Sequence, residues 1–139
     1  MKITDYKIEG VEFKQSPNFG GKKKDYRFLV IHYDASSALQ GLNWMLDDKS
    51  DVSAELWVGR DARTVQLVPF NMTAYHAGKS SFREVEGLNS YAIGIELQNT
   101  GSQAYTDAQM DKLGEVSKLL VDTYGLEIIG HEDCSPPRS

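Results

Sequence analysis

The sequence predicts an α/β fold in which a central mixed β-sheet is flanked by helices. Short apolar runs rich in β-branched residues, such as Phe28 to Tyr33 and Ala92 to Leu97, have the length and composition of buried strands. Two other segments carry apolar residues at helical spacing: residues 37–47 and the stretch that begins at Thr106. Strands that alternate with helices are typical of a sheet with helices packed on it.

The first 50 residues contain an irregular segment, a strand and a helix. Residues 1–26 are polar and include the turn-favouring run 16–21, so we expect an arm that leads into the domain. The run Phe28 to Tyr33 is predicted to be a central strand buried on both faces. A helix is predicted over 37–47, with Ser36 or Ser37 as its cap.

The remaining elements are three strands, a long helix and a last strand. Segments 54–58 and 64–68 read as strands of a hairpin joined by the turn-rich run 59–63. The run Ala92 to Leu97 is the next strand. Thr106 and Gln109 then form a capping box at the start of a helix that Gly125 ends. Glu127 to Gly130 is a short final strand.

Length and composition indicate one globular domain over residues 1–139. A chain of 139 residues buries a core without disulfides, and 40% hydrophobic with 25% charged residues is ordinary for a soluble protein. No stretch approaches the roughly 20 apolar residues of a membrane-spanning helix, so no membrane insertion is expected. A monomer is the default expectation.

Charge, cysteine content and the amino terminus argue against several other classes. The net charge of −5 argues against nucleic-acid binding. The cluster of Lys22, Lys23 and Lys24 is interpreted as a solvated loop, with contact to an anionic polymer as the alternative. Cys134 is the only cysteine, so an internal disulfide cannot form. The first residues lack the apolar segment of a signal peptide, so we expect the chain to be cytoplasmic as synthesised.

Two histidines stand at the ends of apolar strand segments. His32 lies near the end of the first predicted strand, and His131 directly follows the last one. Neutral imidazole is a common zinc ligand. Two histidines presented by strand ends therefore form half of a candidate zinc site, and the residues alone do not identify a third ligand.

Glu96 is the one charged residue in an otherwise apolar strand, the run Ala92 to Leu97. An unpaired carboxylate is costly to bury. Two explanations stay open at this point. The first is a catalytic role, and the second is a structural salt bridge with Arg60 or Arg83.

An ordered series of short motifs resembles the zinc-dependent N-acetylmuramoyl-L-alanine amidases, which include phage lysozyme-type amidases, cell-wall recycling amidases and peptidoglycan recognition proteins. The resemblance covers nearly all of residues 16–138. The motifs, in chain order, are Ser16-Pro17-Asn18-Phe19, Val30-Ile31-His32-Tyr33, Gly59-Arg60-Asp61, Gln66-Leu67-Val68-Pro69, Ala74-Tyr75-His76-Ala77-Gly78-Lys79-Ser80, Leu88-Asn89, Ile93-Gly94-Ile95-Glu96-Leu97 and Gly130-His131-Glu132-Asp133.

The resemblance implies a zinc-dependent hydrolase for the amide bond between N-acetylmuramic acid and L-alanine, in peptidoglycan or muropeptides. It implies that His32 and His131 bind Zn²⁺, which activates a water molecule, and that Glu96 is the general base. A phage lysin, acting on the cell wall, and a recycling enzyme are both compatible with it.

The resemblance also implies substrate contacts. His76 is expected to hydrogen-bond the sugar or the peptide, with an additional metal ligand or a structural residue as alternatives. Arg60 and Asn89 are candidates for binding a stem-peptide carboxylate or backbone, because a guanidinium pairs in bidentate fashion and an amide both donates and accepts. Tyr33 either packs beside the metal or fills the core.

Three features depart from the family pattern. The family places a third zinc ligand, an aspartate or cysteine, about eight to ten residues after the second histidine, and a lysine two residues before that ligand. An aspartate ten residues after His131 would lie just beyond Ser139, so we expect a shortened carboxyl end. Cys134 is a weaker substitute ligand, with a small buried apolar residue as the alternative. Glu55 stands where many relatives have histidine or tyrosine and is expected to alter substrate contacts. The alternative function is therefore a non-catalytic peptidoglycan-binding module that lacks the third ligand.

Overall fold

The computed structural model describes residues 1–77, 81–82 and 85–130. None of the helices in this part of the chain has the length and apolar composition needed to cross a bilayer. The strands are β1 Ile3–Thr4, β2 Lys7–Ile8, β3 Glu12–Phe13, β4 Phe19–Lys22, β5 Phe28–Tyr33, β6 Leu56–Val58, β7 Thr64–Gln66, β8 Met72–Ala74, β9 Ser81–Phe82, β10 Val85–Glu86, β11 Ala92–Leu97 and β12 Glu127–Gly130. The helices are α1 Gln40–Met45, α2 Asp107–Tyr124 and a 3-10 turn at Leu88–Ser90.

Six of the described strands form a mixed sheet in the order β12, β5, β11, β6, β7 and β3. The first four run parallel to one another, and β3 is parallel to β7. Strands β6 and β7 pair antiparallel as the predicted hairpin. The predicted fold class is confirmed, and β5, β11 and β12 have the bounds that their apolar runs predict.

The two faces of the sheet pack against different parts of the chain. Successive side chains of a strand point to opposite faces. One face contributes Leu29, Ile93 and Ile95 to a core that also contains Val116 and Leu120 of α2. On the other face, Val30 and Trp57 belong to two further apolar clusters. This second face carries the polar residues of the candidate site.

Helix α2 begins and ends where the sequence predicts. The Thr106 hydroxyl accepts the backbone N–H of Gln109 at 3.0 Å, and Gly125 ends the helix in the left-handed region at φ 69°. Gln109 does not complete the capping box. Its buried side chain instead donates to the carbonyls of Val58 at 3.1 Å and Gln98 at 3.0 Å. Gln109 therefore joins α2 to the sheet.

Helix α1 is shorter than the predicted helix over 37–47. Its N-cap position is Leu39, which makes no side-chain cap, rather than one of the two predicted serines. Asp34 accepts the backbone N–H of Ser36, and Ala35 adopts φ 55°. This turn occupies the residues after β5 and delays the start of the helix.

The amino-terminal 26 residues, expected as an arm, instead contain four short strands. Strand β3 forms an edge of the mixed sheet, β1 pairs with β2, and β4 pairs with β8. Ile8 is 3% exposed, and its backbone N–H donates to the side chain of Gln66 at 2.9 Å. The polar composition conceals this packing because much of it uses backbone groups and a few apolar side chains.

Replacing Gln109 with Leu is expected to lower the free energy of unfolding by about 1–3 kcal/mol. Leucine is similar in volume but cannot donate to either carbonyl. The Val58 carbonyl still accepts the backbone N–H of Gln98 at 3.0 Å, so the loss falls mainly on the Gln98 carbonyl, and that range is the usual cost of an unsatisfied buried polar group. Urea unfolding measures the change. Glu115→Gln on the exposed side of the same helix is the control and should stay within about 0.5 kcal/mol of the unchanged protein. Equal stability of Gln109→Leu and the unchanged protein would contradict the assigned role.

Candidate active site

The parallel pairing of β5 with β11 places His32 beside Glu96. The two residues are Cα partners, and Gly94 is the partner of Val30 on the same face. Both His32 and Glu96 lie near the carboxyl ends of their strands, on the face opposite α2. The His32 side chain is buried, with 6% of the residue exposed. The sheet register therefore brings together the predicted metal ligand and the predicted base.

Burial favours the protonated form of Glu96. Desolvation, with a smaller contribution from the charge of Asp34, raises the pKa of Glu96 to about 8. Its Oε2 atom has no hydrogen-bond partner among the described residues. Arg60, one of the two predicted salt-bridge partners, donates from Nη1 to the carbonyl of Ala104 at 2.9 Å instead. Arg83, the other predicted partner, lies outside the described residues.

Asp34 is a site residue that the sequence analysis missed. Its Oδ2 accepts from the indole of Trp57 at 2.9 Å. Its Oδ1 accepts the backbone N–H groups of Ser36 at 3.1 Å and Asn99 at 3.2 Å. These donors stabilise the carboxylate just after β5, where its charge disfavours ionisation of Glu96. Its position at the end of a strand that carries a candidate ligand was the available signal.

The ring of His76 contacts both His32 and the sheet. Its Nδ1 atom lies 3.0 Å from Nε2 of His32, and the two ring planes are 67° apart. A Cβ atom built on Gly94 would lie 2.5 Å from Cγ of His76. The missing side chain at Gly94 is therefore what admits the imidazole to this position.

Asn89 holds the backbone of the loop that carries His76. Its Oδ1 atom accepts the backbone N–H of His76 at 3.2 Å and that of Ala77 at 2.9 Å. The two bonds fix the direction in which the chain leaves β8. The predicted contact of Asn89 with substrate stays a prediction.

Glu55 and Lys23 form a buried ion pair next to His76. Their side chains are 0% and 1% exposed, respectively. Glu55 Oε1 accepts the backbone N–H of Gly94 at 2.8 Å and lies 3.8 Å from Nε2 of His76. Lys23 also donates to the carbonyl of Met72. Complete burial raises the pKa of Glu55, whereas the charge of Lys23 acts in the opposite direction.

This ion pair corrects one expectation from the sequence and bears on a second. The interpretation of the lysine cluster as a solvated loop is wrong for Lys23, because its ammonium group is buried against a carboxylate. Glu55 has no exposed surface, so the predicted effect on substrate contacts stays a prediction and would have to pass through its neighbours. A local charge pattern could not separate Lys23 from the lysines on either side of it.

Tyr33 and Arg60 lie at the same edge of the sheet but outside the histidine cluster. Tyr33 is 54% exposed, so it does not fill the core. Strand alternation directs its side chain away from the His32 face, and a Cβ atom on Gly101 would lie 3.0 Å from its Cε2. Arg60 follows the end of β6, where its backbone N–H donates to the side chain of Gln98 at 2.9 Å.

The second predicted zinc ligand, His131, and the substitute ligand Cys134 lie outside the described residues. Gly130, directly before His131 in the chain, is the Cα partner of Ile31, directly before His32. Among the described residues, no group of three or more histidine, cysteine, aspartate or glutamate side chains is arranged to hold a metal ion. The donor chemistry of the described part still fits zinc, since a buried imidazole lies beside a carboxyl oxygen without a partner in that part.

Comparison with known proteins identifies relatives along nearly the whole chain. A family model described as N-acetylmuramoyl-L-alanine amidase matches residues 22–138. The 1,6-anhydro-N-acetylmuramyl-L-alanine amidase AmpD of Haemophilus influenzae is 36% identical, over 98% of this chain and 84% of that protein. AmpD of Escherichia coli is 43% identical over 90 residues, which are 63% of this chain and 49% of that protein. This second match thus spans about half the length of the Escherichia coli protein.

Solved structures of related proteins share the fold. A selenomethionine derivative of AmpD superposes with a TM-score of 0.82 at 27% identity, covering 100% of this chain and 90% of that one. The amidase AmiD from Escherichia coli, in complex with anhydro-N-acetylmuramic acid-L-Ala-D-gamma-Glu-L-Lys, has a TM-score of 0.75 at 30% identity. That match covers 84% of this chain and 52% of AmiD.

The raised pKa of Glu96 predicts a specific dependence of stability on pH. Between about pH 4.5 and 8, Glu96 keeps its proton in the folded protein and loses it in the unfolded chain. The folded state then binds more protons, so its stability falls as pH rises through this window. Urea unfolding of the metal-free protein from pH 5 to 8.5 should show a steeper fall for the unchanged protein than for Glu96→Gln. Parallel curves would contradict the raised pKa.

The contact between Gly94 and His76 predicts the effect of adding one methyl group. Gly94→Ala should displace the imidazole and shift the ring resonances of His76 and His32, because the new Cβ would lie 2.5 Å from Cγ of His76. Two-dimensional NMR of ¹⁵N-histidine-labelled protein measures these shifts. Gly21→Ala is the matched control, since a Cβ there meets no atom within 4 Å. If the ring resonances of His76 and His32 did not shift in Gly94→Ala, the absence of a side chain at Gly94 would not be what makes room for the His76 ring.

Proposed function

The chain belongs to the N-acetylmuramoyl-L-alanine amidase family, and we propose that it hydrolyses the amide bond between N-acetylmuramic acid and L-alanine. The family match over residues 22–138 supports this activity. The observation that carries the proposal is the register that sets His32 beside Glu96. A candidate metal ligand and a carboxyl group of raised pKa are thereby adjacent, as metal-assisted amide hydrolysis requires.

We infer that the substrate is a muropeptide with an anhydro sugar. The AmpD relatives from Haemophilus influenzae and Escherichia coli are named as 1,6-anhydro-N-acetylmuramyl-L-alanine amidases. The related AmiD structure holds anhydro-N-acetylmuramic acid joined to a short peptide. An anhydromuramoyl peptide is therefore the first substrate to test, ahead of intact peptidoglycan.

His32 and His131 are the proposed zinc ligands. His32 supports this role because its imidazole is buried at a strand end and its Nε2 atom contacts His76. The partnership of Gly130 with Ile31 supports the pairing of the two histidines, since each of these residues directly precedes one of them. Zinc, when bound, would polarise the scissile carbonyl and make a water molecule more acidic.

Glu96 is the proposed general base. Its pKa would fall from about 8 when a divalent cation is bound at the adjacent His32, because a nearby positive charge favours the ionised carboxyl. A base whose pKa lies near neutrality takes a proton from water efficiently and still returns it. Glu96 would therefore accept the proton of the attacking water and deliver it to the departing nitrogen of L-alanine.

Arg60 is the proposed substrate contact among the described residues, because its guanidinium offers several donors to a peptide carboxylate. The predicted contact of Tyr33 has less support, since its exposed side chain is directed away from the face that carries His32. His76 is 6% exposed and contacts His32, which favours its structural alternative over substrate binding. Asn89 would act on the site by holding the His76 loop.

Glu96→Gln is expected to keep the zinc affinity of the unchanged protein and to lower turnover by at least about 100-fold, the usual contribution of a general base. Chromatography of the peptide released from an anhydromuramoyl tripeptide measures turnover, and competition with a chromogenic chelator measures zinc affinity. Glu115→Gln, on the exposed surface of α2, is the control. Full turnover in Glu96→Gln would contradict the role of the base. Substrate binding without release by the unchanged zinc-loaded protein would instead indicate a binding module.

A further inference from the structure

Four buried side chains form a continuous line from Lys23 to His32. Lys23 pairs with Glu55, and Glu55 Oε1 lies 3.8 Å from Nε2 of His76. Nδ1 of His76 then lies 3.0 Å from Nε2 of His32. At most 1% of the side-chain surface is exposed in Lys23, Glu55 and His76. Solvent therefore contributes little to the choice of donor and acceptor along the line.

The chemistry of the carboxylate end determines where the imidazole protons lie. A neutral imidazole has one N–H and one bare nitrogen, and an ionised carboxylate only accepts. Nε2 of His76 faces Glu55 and is therefore favoured as the N–H. Nδ1 of His76 is then an acceptor, so the 3.0 Å contact requires an N–H on Nε2 of His32. The unprotonated nitrogen of His32 is then Nδ1.

We propose that Glu55 and Lys23 are positioning residues that act through His76 to hold His32 in the tautomer with a bare Nδ1, ready to bind a metal ion. This inference rests on the proposed zinc site at His32. Histidines that bind metals usually donate their other N–H to a carboxylate or a carbonyl, which orients the ring. Here a second histidine, supported by a carboxylate, takes the place of that acceptor.

Lys23 is needed because Glu55 has no exposed surface. Burial alone favours the protonated carboxyl, which would offer a donor where His76 needs an acceptor. The ammonium group of Lys23 and the backbone N–H of Gly94 both favour the ionised form. Gly94 also supports the ring of His76, so the same strand, β11, positions the pair, the histidines and Glu96.

The tautomer of His32 is measured directly by long-range ¹H–¹⁵N correlation in the metal-free, ¹⁵N-histidine-labelled chain. The unchanged protein should show His32 protonated at Nε2. A double variant, Lys23→Met with Glu55→Leu, removes the acceptor while keeping the site apolar and filled, and such replacements of buried ion pairs are often tolerated. It should show both tautomers of His32. Its affinity for zinc should be weaker by about 10- to 100-fold, the usual effect of losing a residue that holds a metal ligand in place.

Two further variants separate positioning from general stability. Lys23→Met with Glu55→Gln keeps a side-chain carbonyl that faces Nε2 of His76, so it should recover the single tautomer and most of the zinc affinity. Glu12→Leu with Arg63→Met removes an exposed ion pair, whose two hydrogen bonds are both 3.1 Å long, at the far edge of the sheet. It should change neither measurement, and urea unfolding should show that all variants compared are folded.

Protonation of His32 at Nδ1 in the unchanged protein would overturn the inference, even if every variant failed to fold. A variant with weaker zinc affinity but an unchanged His32 tautomer would overturn it as well, because the pair would then act on stability alone. If zinc shifted no His32 resonance of the unchanged protein, the proposed zinc site itself would be contradicted. If zinc shifts the His32 resonances of the unchanged protein and the Lys23→Met with Glu55→Leu variant binds zinc equally well, only the role of Lys23 and Glu55 would be overturned.

Discussion

The candidate site depends first on the parallel register of β5 with β11. This register sets His32 opposite Glu96, and it sets Gly94 where His76 needs space. A slip of one residue would turn the side chains of one strand to the other face, separating His32 from Glu96. The core between the sheet and α2 opposes such a slip, because it would expose residues such as Ile93 and Ile95 that are now fully buried.

Three carboxyl groups near one another have different surroundings, and the difference assigns their roles. Glu55 has Lys23 and the backbone N–H of Gly94, and Asp34 has three donors. Glu96 has a negative neighbour and no partner for Oε2 among the described residues. Glu96 is therefore the carboxyl suited to gaining and losing a proton. Environments that differ in this way commonly separate acid–base groups from supporting ones.

Features set by local pattern were predictable from the sequence. The apolar runs gave the bounds of β5, β11 and β12, and Thr106 marked the start of α2. The ion pair of Lys23 with Glu55 was not predictable, because its members are 32 residues apart and meet only through the folded sheet. The sequence around Gln109 also could not show that its side chain donates to carbonyls of the sheet instead of capping its own helix. The role of His131 stays a prediction, because it lies outside the described residues.

A crystal structure of the zinc-loaded chain, with zinc located by its anomalous scattering, tests the central claim most directly. The account predicts a zinc peak about 2.0–2.1 Å from Nδ1 of His32, the usual distance for a zinc–imidazole bond, with Glu96 on the same face of the sheet. A zinc peak remote from His32 would contradict it. So would an electron-density map in which His32 and Glu96 point to opposite faces of the sheet.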